Sequence, residues 1–474
     1  MKKTLLYKAN IIISILLASS LLGCTQGAAY DSSYETTIST LVKVSDCYEE
    51  NPYGSKLSVC EETIESYISD DGLCEINVKP SYYEVNLDWE SGSHYDVGKA
   101  YGSLLKECVG EQEAILESYI YENIHMAFPN MTSDYSIISS RVEALASKLP
   151  SEYLDEIRGL SDGFNNGSEG MVEDGKMSYE ELLLAQIIPD VLRDTACFGL
   201  SVWGDKSDSG NKYTARVLEW QIGSSRQLLD IAAVFNMKNG DKSYTMVGFL
   251  GILVAHTGVN DNGVMMGELD VGVVGEAYEY EGKESYIYAI RYCLENFDDA
   301  DACAGYLMDR AGKFAYNPNI LITDKDHSYC VELISNEKAG KPVIRDENTP
   351  LIQGYEWHNS DSLCIINGYV SEGTKTALSY ASGNYLRWKK MDSWLMDIDK
   401  VSLADMKELL TRDSVVNSVE EGTGGKNRDV SPVYNDYNIH IAIYDYETGK
   451  LHVAFPRTDG IENRPDFVVV DTYN

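Results

Sequence analysis

Apolar positions recur at helical spacing through "HYDVGKAYGSLLKECVGEQEAILESYI" (94–120), "SEYLDEIRGLSDG" (151–163) and "MSYEELLLAQIIPDVLRD" (177–194). At Cys197 the period changes. Phe198, Leu200 and Val202 alternate with Gly199, Ser201 and Trp203, the pattern of a half-buried strand, so Cys197 reads as the first residue of that strand. Strand patterns continue at 197–203, 213–222, 228–236, 244–249 and 263–269, followed by helical patterns at about 284–296 and 299–310. Strands near 319–334 and 362–369, helices near 378–396 and 402–411, and the closing strands "NIHIAIYDYETGKLHVAF" complete the chain. Strands grouped apart from blocks of helices predict an α+β fold and not a doubly wound parallel sheet. Residues 25 to about 85, rich in Ser, Tyr and Cys with weak periodicity, read as a tether or a small disulfide-held region.

The amino terminus adds a compartment. Lys2, Lys3 and Lys8 precede an apolar run from Ile11 to Leu22 that is too short to span a bilayer and reads as a secretory signal. It ends in "LLGC", which resembles a bacterial lipoprotein box, and this implies a lipid anchor on Cys24 and removal of residues 1–23. The formal charge of −36 argues against nucleic acid and anionic surfaces as partners and is otherwise a solvated face. Of ten cysteines, setting aside Cys24 and Cys197 leaves an even number in an exported chain, so disulfides are expected, without a readable connectivity. No Cys-x-x-Cys or His-Glu-x-x-His occurs, so neither zinc nor thioredoxin chemistry is suggested, and no cofactor is implied.

Three other motifs fail on context. "GLSDG" (159–163) matches a serine-hydrolase elbow, but that turn needs a preceding strand and "EYLDEIR" is helical. "GMVEDGKMSYEE" resembles half of a calcium loop, with Asp174, Gly175 and Glu181 in place, but Gly170 and Val172 stand where carboxylates are needed. His256 and His440 fall in apolar strand patterns and read as satisfied core histidines.

The seam at Cys197 carries more. "GDKSDSGN" is a turn cluster and "KYTARVLEWQ" a second strand, so the two form a hairpin that returns Arg216 and Glu219 beside the start of the first strand. A buried structural thiol and an ordinary cross-strand ion pair are the plain alternative. Against it, an Arg beside a Cys favours the thiolate, and a carboxylate there could hold an ammonium group. These are the needs of a cysteine whose own α-amine is its base. On an ideal strand Arg216 and Glu219 face opposite ways, so both serve Cys197 only if the strand bulges or one acts indirectly.

Helical "YLDEIRGLSDG", a further helix, Cys197 and then "ARVLEW" resemble the N-terminal-nucleophile hydrolases of the penicillin acyltransferase and choloylglycine hydrolase group, whose usual form is Cys, a strand, then Arg-Asn-x-Asp-Trp. The resemblance continues through "GVNDNGVMMGELD", "NPNILITDKDHSYCVEL", "LCIINGYV", "SGNYLRWKKM" and "HIAIYDYETGKLHVAF", roughly residues 90–474. It implies a four-layer αββα sandwich, with a helical pro-segment at 86–196 and a catalytic domain at 197–474. It also implies self-cleavage between Ala196 and Cys197, and an acyl-enzyme on Cys197 formed from a small acylated amide by an amidase or acyltransferase. Carried over by motif position, Arg216 favours the thiolate, Glu219 orients the amine, and Asn367, or alternatively Asn359, supplies the oxyanion donor. Arg387 matches a second supporting Arg, and Asn319 falls among the pocket positions. Two departures stand out: Glu219 replaces the usual Asp, and Asp270 falls where an Asn or Tyr donor is usual. They support the alternative of a non-enzymatic lipoprotein that keeps the scaffold as a binding module.

Overall fold

In the computed structural model residues 60–474 are described, apart from 132, 165–168, 193–194, 272–277, 335–338, 376–382, 412–432, 436, 457–464, 471 and 473–474. The chain divides into Met1–Lys43 and Val44–Asn474, and every described residue belongs to the second unit. Cys24 and Cys47 lie outside the described residues.

Three short strands come first: β1 (Glu65–Ile68), β2 (Cys74–Val78) and β3 (Tyr83–Asp88). Five helices follow: α1 (His94–Cys108), α2 (Gln112–Ala127), α3 (Ser136–Ala146), α4 (Ser151–Gly163) and α5 (Tyr179–Val191). A run of strands then begins at the seam with β4 (Thr195–Val202), β5 (Tyr213–Trp220), β6 (Ala232–Asn239), β7 (Lys242–Phe249), β8 (Ile252–Asn260) and β9 (Met265–Leu269). Helices α6 (Tyr286–Asn296) and α7 (Ala300–Met308) separate these from β10 (Asn319–Thr323), β11 (Ser328–Glu332), β12 (Val343–Arg345) and β13 (Ser362–Ile365). Helices α8 (Gly383–Asp397) and α9 (Leu403–Thr411) precede β14 (Asn438–Asp445), β15 (Lys450–Ala454) and β16 (Phe467–Val470).

The strands form two sheets, ordered β1-β2-β3-β6-β7-β8-β9-β10-β11-β12 and β13-β4-β5-β14-β15-β16. All paired neighbours are antiparallel except β3 with β6, which run parallel over Tyr83–Asp88 and Ala233–Lys238. Alternation along the strands sorts the side chains into layers. On β6, Ala233, Phe235 and Met237 pack with the helices of the amino-terminal half, whereas Ala232 and Val234 meet Ala442, Tyr444 and Val453 of the other sheet. On β4 and β5, Phe198, Leu200, Ala215 and Val217 face outward onto Trp388 and Met391 of α8 and Leu409 of α9. Helices, sheet, sheet and helices thus stack as an αββα sandwich, the expected α+β class.

Several expectations need correction. Residues 65–88 are not a tether: their three strands belong to the ten-stranded sheet, because Ile76, Val85 and Leu87 are fully buried at alternate positions under the helices. The weak periodicity came from short strands broken by turns. The expected disulfides do not appear among the eight described cysteines, all of which are free thiols. The strand at the seam does not begin at Cys197, since its ladder with β5 starts two residues earlier, with Thr195 opposite Trp220 and Ala196 opposite Glu219. Strand β8 is absent from the expected strand ranges although His256 marks its apolar stretch, because every residue in it is buried and no alternation gives its bounds.

The "GLSDG" stretch turns out to be packing. It ends α4, where Gly159 and Gly163 lie against α1, and Gly98 and Gly102 of α1 return the contact. A Cβ on Gly159 would fall 2.1 Å from the Tyr95 carbonyl oxygen, and one on Gly98 would fall 2.1 Å from that of Glu156. Both obstacles are backbone, so the helices must separate to admit a methyl group. Gly159→Ala is expected to lower stability by about 2–3 kcal/mol, read as a drop in the thermal unfolding midpoint.

Candidate active site

Residues directly opposite one another in a ladder point to the same face. Cys197 stands opposite Leu218 and Gly199 opposite Arg216, so Cys197 and Arg216 share the inner face of the six-stranded sheet. Ser201 on that face reaches Ser328 of the other sheet at 3.0 Å, which confirms that the face looks between the sheets. Arg216 Nη2 lies 3.2 Å from Cys197 Sγ. The same nitrogen donates to the Glu268 carbonyl at 2.7 Å and its carboxylate Oε1 at 3.0 Å. The guanidinium reaches β9 only because residue 267 is glycine: a Cβ there would sit 2.7 Å from Arg216 Cγ.

Arg216 and Glu268 are both fully buried, and the carboxylate holds the guanidinium and also faces His256 Nδ1 at 3.4 Å. The thiol does not become a thiolate in this state. Burial pushes the Cys197 thiol up to about 12, outweighing the nearby Arg216, and Glu268 pushes it further in the same direction. Sequence reasoning anticipated the contact and the direction of the Arg effect but not the size of the desolvation.

The Cys197 nitrogen is held separately. Its N–H donates to Asn367 Oδ1 at 2.7 Å, and Asn367 Nδ2 donates to the Asp270 carbonyl at 2.7 Å. Asn367 therefore holds the group expected to become the amine, and its Nδ2 gives one of its two N–H donors to the Asp270 carbonyl. Asn319 Nδ2 donates to the carbonyls of Ile366 and Gly368 at 3.0 and 2.9 Å, so it fixes the turn that presents Asn367. Asp270 is buried beside this turn, with its carbonyl as the contact atom.

Two expected partners lie elsewhere. Glu219 stands opposite Ala196, on the outer face, and the β4–β5 register has no bulge that would turn it inward. Its carboxylate is gripped by Arg387 Nη1 and Nη2 of α8 at 2.5 and 2.6 Å, and by Asn435 Nδ2. Only its carbonyl approaches Cys197 Sγ, at 4.0 Å. Glu219 and Arg387 thus form a fork-to-fork pair that ties α8 to the end of β5, and Glu219 does not touch the Cys197 nitrogen. Asn359 is also displaced: its Nδ2 donates to the Asp392 carbonyl and carboxylate at 3.0 and 2.8 Å. It precedes β13, whose Ser362 pairs with Val202. That is the far end of β4 from Cys197, about 17 Å away at the usual strand rise.

Sequence reasoning missed Glu268 and Tyr286. Glu268 is the sole charged residue of "MMGEL", and an ion among buried apolar neighbours calls for a buried partner. Tyr286 opens α6 with its side chain fully buried, and its hydroxyl has no hydrogen-bond partner among the described residues. Burial, with Asp270, Glu268, Asp190 and Cys197 nearby, holds that phenol protonated. The two histidines are satisfied at one ring nitrogen only: His440 Nε2 lies 2.8 Å from Thr257 Oγ1 and His256 Nδ1 3.4 Å from Glu268 Oε1, while His440 Nδ1 and His256 Nε2 are buried without a hydrogen-bond partner among the described residues. The calcium-like loop is closed by helix capping: Glu181 Oε2 accepts from Ser178 N at 2.8 Å and its Oε1 from Val172 N at 3.0 Å.

No family model and no curated protein matches this sequence. Among solved structures, a Caenorhabditis elegans N-acylethanolamine-hydrolyzing acid amidase ortholog superimposes with a TM-score of 0.35 at 11% identity, covering 57% of this chain and 99% of its own. A conjugated bile acid hydrolase of Clostridium perfringens gives 0.33 at 14%, covering 59% and 100%. A penicillin V acylase of Agrobacterium tumefaciens gives 0.33 at 13%, covering 58% and 86%.

Proposed function

We propose that the chain is a self-processing cysteine amidase or acyltransferase acting on small acylated amides. The observation that carries this is the pair of contacts on Cys197: its sulfur at 3.2 Å from the Arg216 guanidinium and its nitrogen at 2.7 Å from Asn367 Oδ1. A structural thiol needs an acceptor for its buried backbone N–H but no cation beside its sulfur. In the intact chain Cys197 Sγ attacks the Ala196 carbonyl carbon, the C–S bond forms as the Ala196–Cys197 C–N bond breaks, and the thiol proton ends on the nitrogen. Water then hydrolyses the thioester, leaving an Ala196 carboxylate, a free thiol and a Cys197 amine. That amine takes the thiol proton in the second reaction, in which the thiolate attacks a substrate amide and the acyl group passes to water or an amine. Arg216 stabilises the thiolate, Asn367 orients the amine, and the Glu219–Arg387 pair holds the strand end. The lipoprotein-like "LLGC" supports export and attachment through Cys24.

Incubating the purified protein with chromogenic acyl-amides of varied chain length tests the reaction. A stoichiometric burst with an acyl mass increment on the peptide beginning at Cys197 is expected, and turnover without such an adduct would assign the chemistry elsewhere. A second reading, a non-enzymatic binding protein, is favoured by the unbroken ladder across the seam and the protonated thiol.

A further inference from the structure

Five to six residues before the seam, the chain is fastened to the part of the protein that follows it. Helix α5 bends at Ile187 (φ −121°, ψ 22°), just ahead of Pro189, and delivers Asp190 to the amino terminus of α6. Asp190 is fully buried, and its two carboxylate oxygens accept from Ser285 Oγ at 2.6 Å and from the Tyr286 backbone N–H at 3.0 Å. The Asp190 carbonyl accepts from the Tyr278 phenol at 2.8 Å. The next carbonyl, of Val191, accepts from Arg141 Nη1 at 2.9 Å, and that guanidinium lies over the Tyr278 ring at 4.2 Å. Two consecutive carbonyls and one carboxylate are thus held by four donors.

Three of those donors, from Tyr278, Ser285 and Tyr286, lie downstream of Cys197. A cap for α6 alone needs the carboxylate contacts and not the two carbonyl contacts. The anchored Val191 carbonyl and the scissile Ala196 carbonyl are five residues apart, at most about 18 Å of extended chain. The ladder with β5 takes over at Thr195, opposite Trp220, one residue before the scissile carbonyl. Resting on the self-processing reading above, we propose that Asp190 is a positioning residue for self-cleavage, its clamp on α6 setting where the Ala196 carbonyl meets Cys197 Sγ. The clamp makes no contact with Cys197, and once the bond is cut the reaction at Cys197 no longer depends on it.

The test follows cleavage in time during cell-free synthesis of the full chain, by denaturing gel, for wild type, Asp190→Ala and Tyr278→Phe. The latter removes one donor and keeps the ring, so it addresses the clamp even if Asp190→Ala fails to fold. The expected result is a cleavage half-time at least tenfold longer for Asp190→Ala and about threefold longer for Tyr278→Phe. The kcat/KM per mole of fragment beginning at Cys197 should stay within twofold of wild type. Half-times within twofold of wild type for both variants would overturn the assignment. So would a parallel fall in activity per cleaved chain, which marks a merely structural role. A wild-type chain that stays whole instead overturns the self-processing reading, so the two failures are distinct.

Discussion

Arg216→Leu is expected to abolish amide hydrolysis and to cost about 3–5 kcal/mol of stability, because it strands the fully buried Glu268 carboxylate without its cation. The two effects have separate causes, and a second substitution pulls them apart. In Arg216→Leu/Glu268→Leu neither charge remains to be desolvated, and replacing a buried pair by apolar groups is often neutral or stabilising. The double variant should therefore regain most of the lost stability in denaturant unfolding while remaining inactive, since the cation 3.2 Å from Cys197 Sγ is still missing. Activity recovered together with stability would show that Arg216 serves the fold and not the sulfur.

Thiol reactivity carries the second large effect. In the intact chain the Cys197 thiol is pushed up to about 12 by burial, so on charge state alone its thiolate fraction near pH 7 is roughly a thousandfold below that of an ordinary thiol titrating near 9. The sign is fixed by the environment: a raised value keeps the proton on at every pH below it, and alkylation should climb tenfold per pH unit through the whole range from 7 to 10. Cys197→Ala chains report the background from the other thiols. If the proposed cleavage lets water reach the freed amino terminus, the desolvation that raises the value falls, and the processed protein should alkylate at Cys197 faster at pH 7 than the intact chain. A rate independent of pH between 7 and 10 in uncleaved protein would contradict this account.

How much of this was legible in the sequence depends on which force placed each residue. The hairpin was readable because turn residues and alternation are local, and its geometry put Arg216 beside Cys197 as expected. The opposed faces of Arg216 and Glu219 followed from the strand period, and the structure resolves that tension by giving Glu219 to Arg387 and Asn435 on the outer face. Motif position alone chose Asn367 correctly as a neighbour of Cys197 but did not show that its Oδ1 accepts from the Cys197 N–H, because which end of the amide faces which group is set by what else it meets, here the Asp270 carbonyl. Asn359 failed for a similar reason: its partner, Asp392, is on a helix whose docking no local pattern encodes. Glu268 and the strands at 65–88 escaped because their partners are remote in sequence, on β5 for the one and on β6 for the other.

The same parallel pairing of β3 with β6 bears on what cleavage would look like. Residues on both sides of the seam share the ten-stranded sheet and one hydrophobic core, so two fragments would stay together under native conditions and part only on denaturation. The most direct measurement is therefore denaturing intact mass with amino-terminal sequencing of the purified protein, beside Cys197→Ala. A wild-type fragment beginning Cys197-Phe198-Gly199, with the variant remaining one chain, is the result this account predicts. A wild-type protein that remains a single chain after denaturation would contradict it.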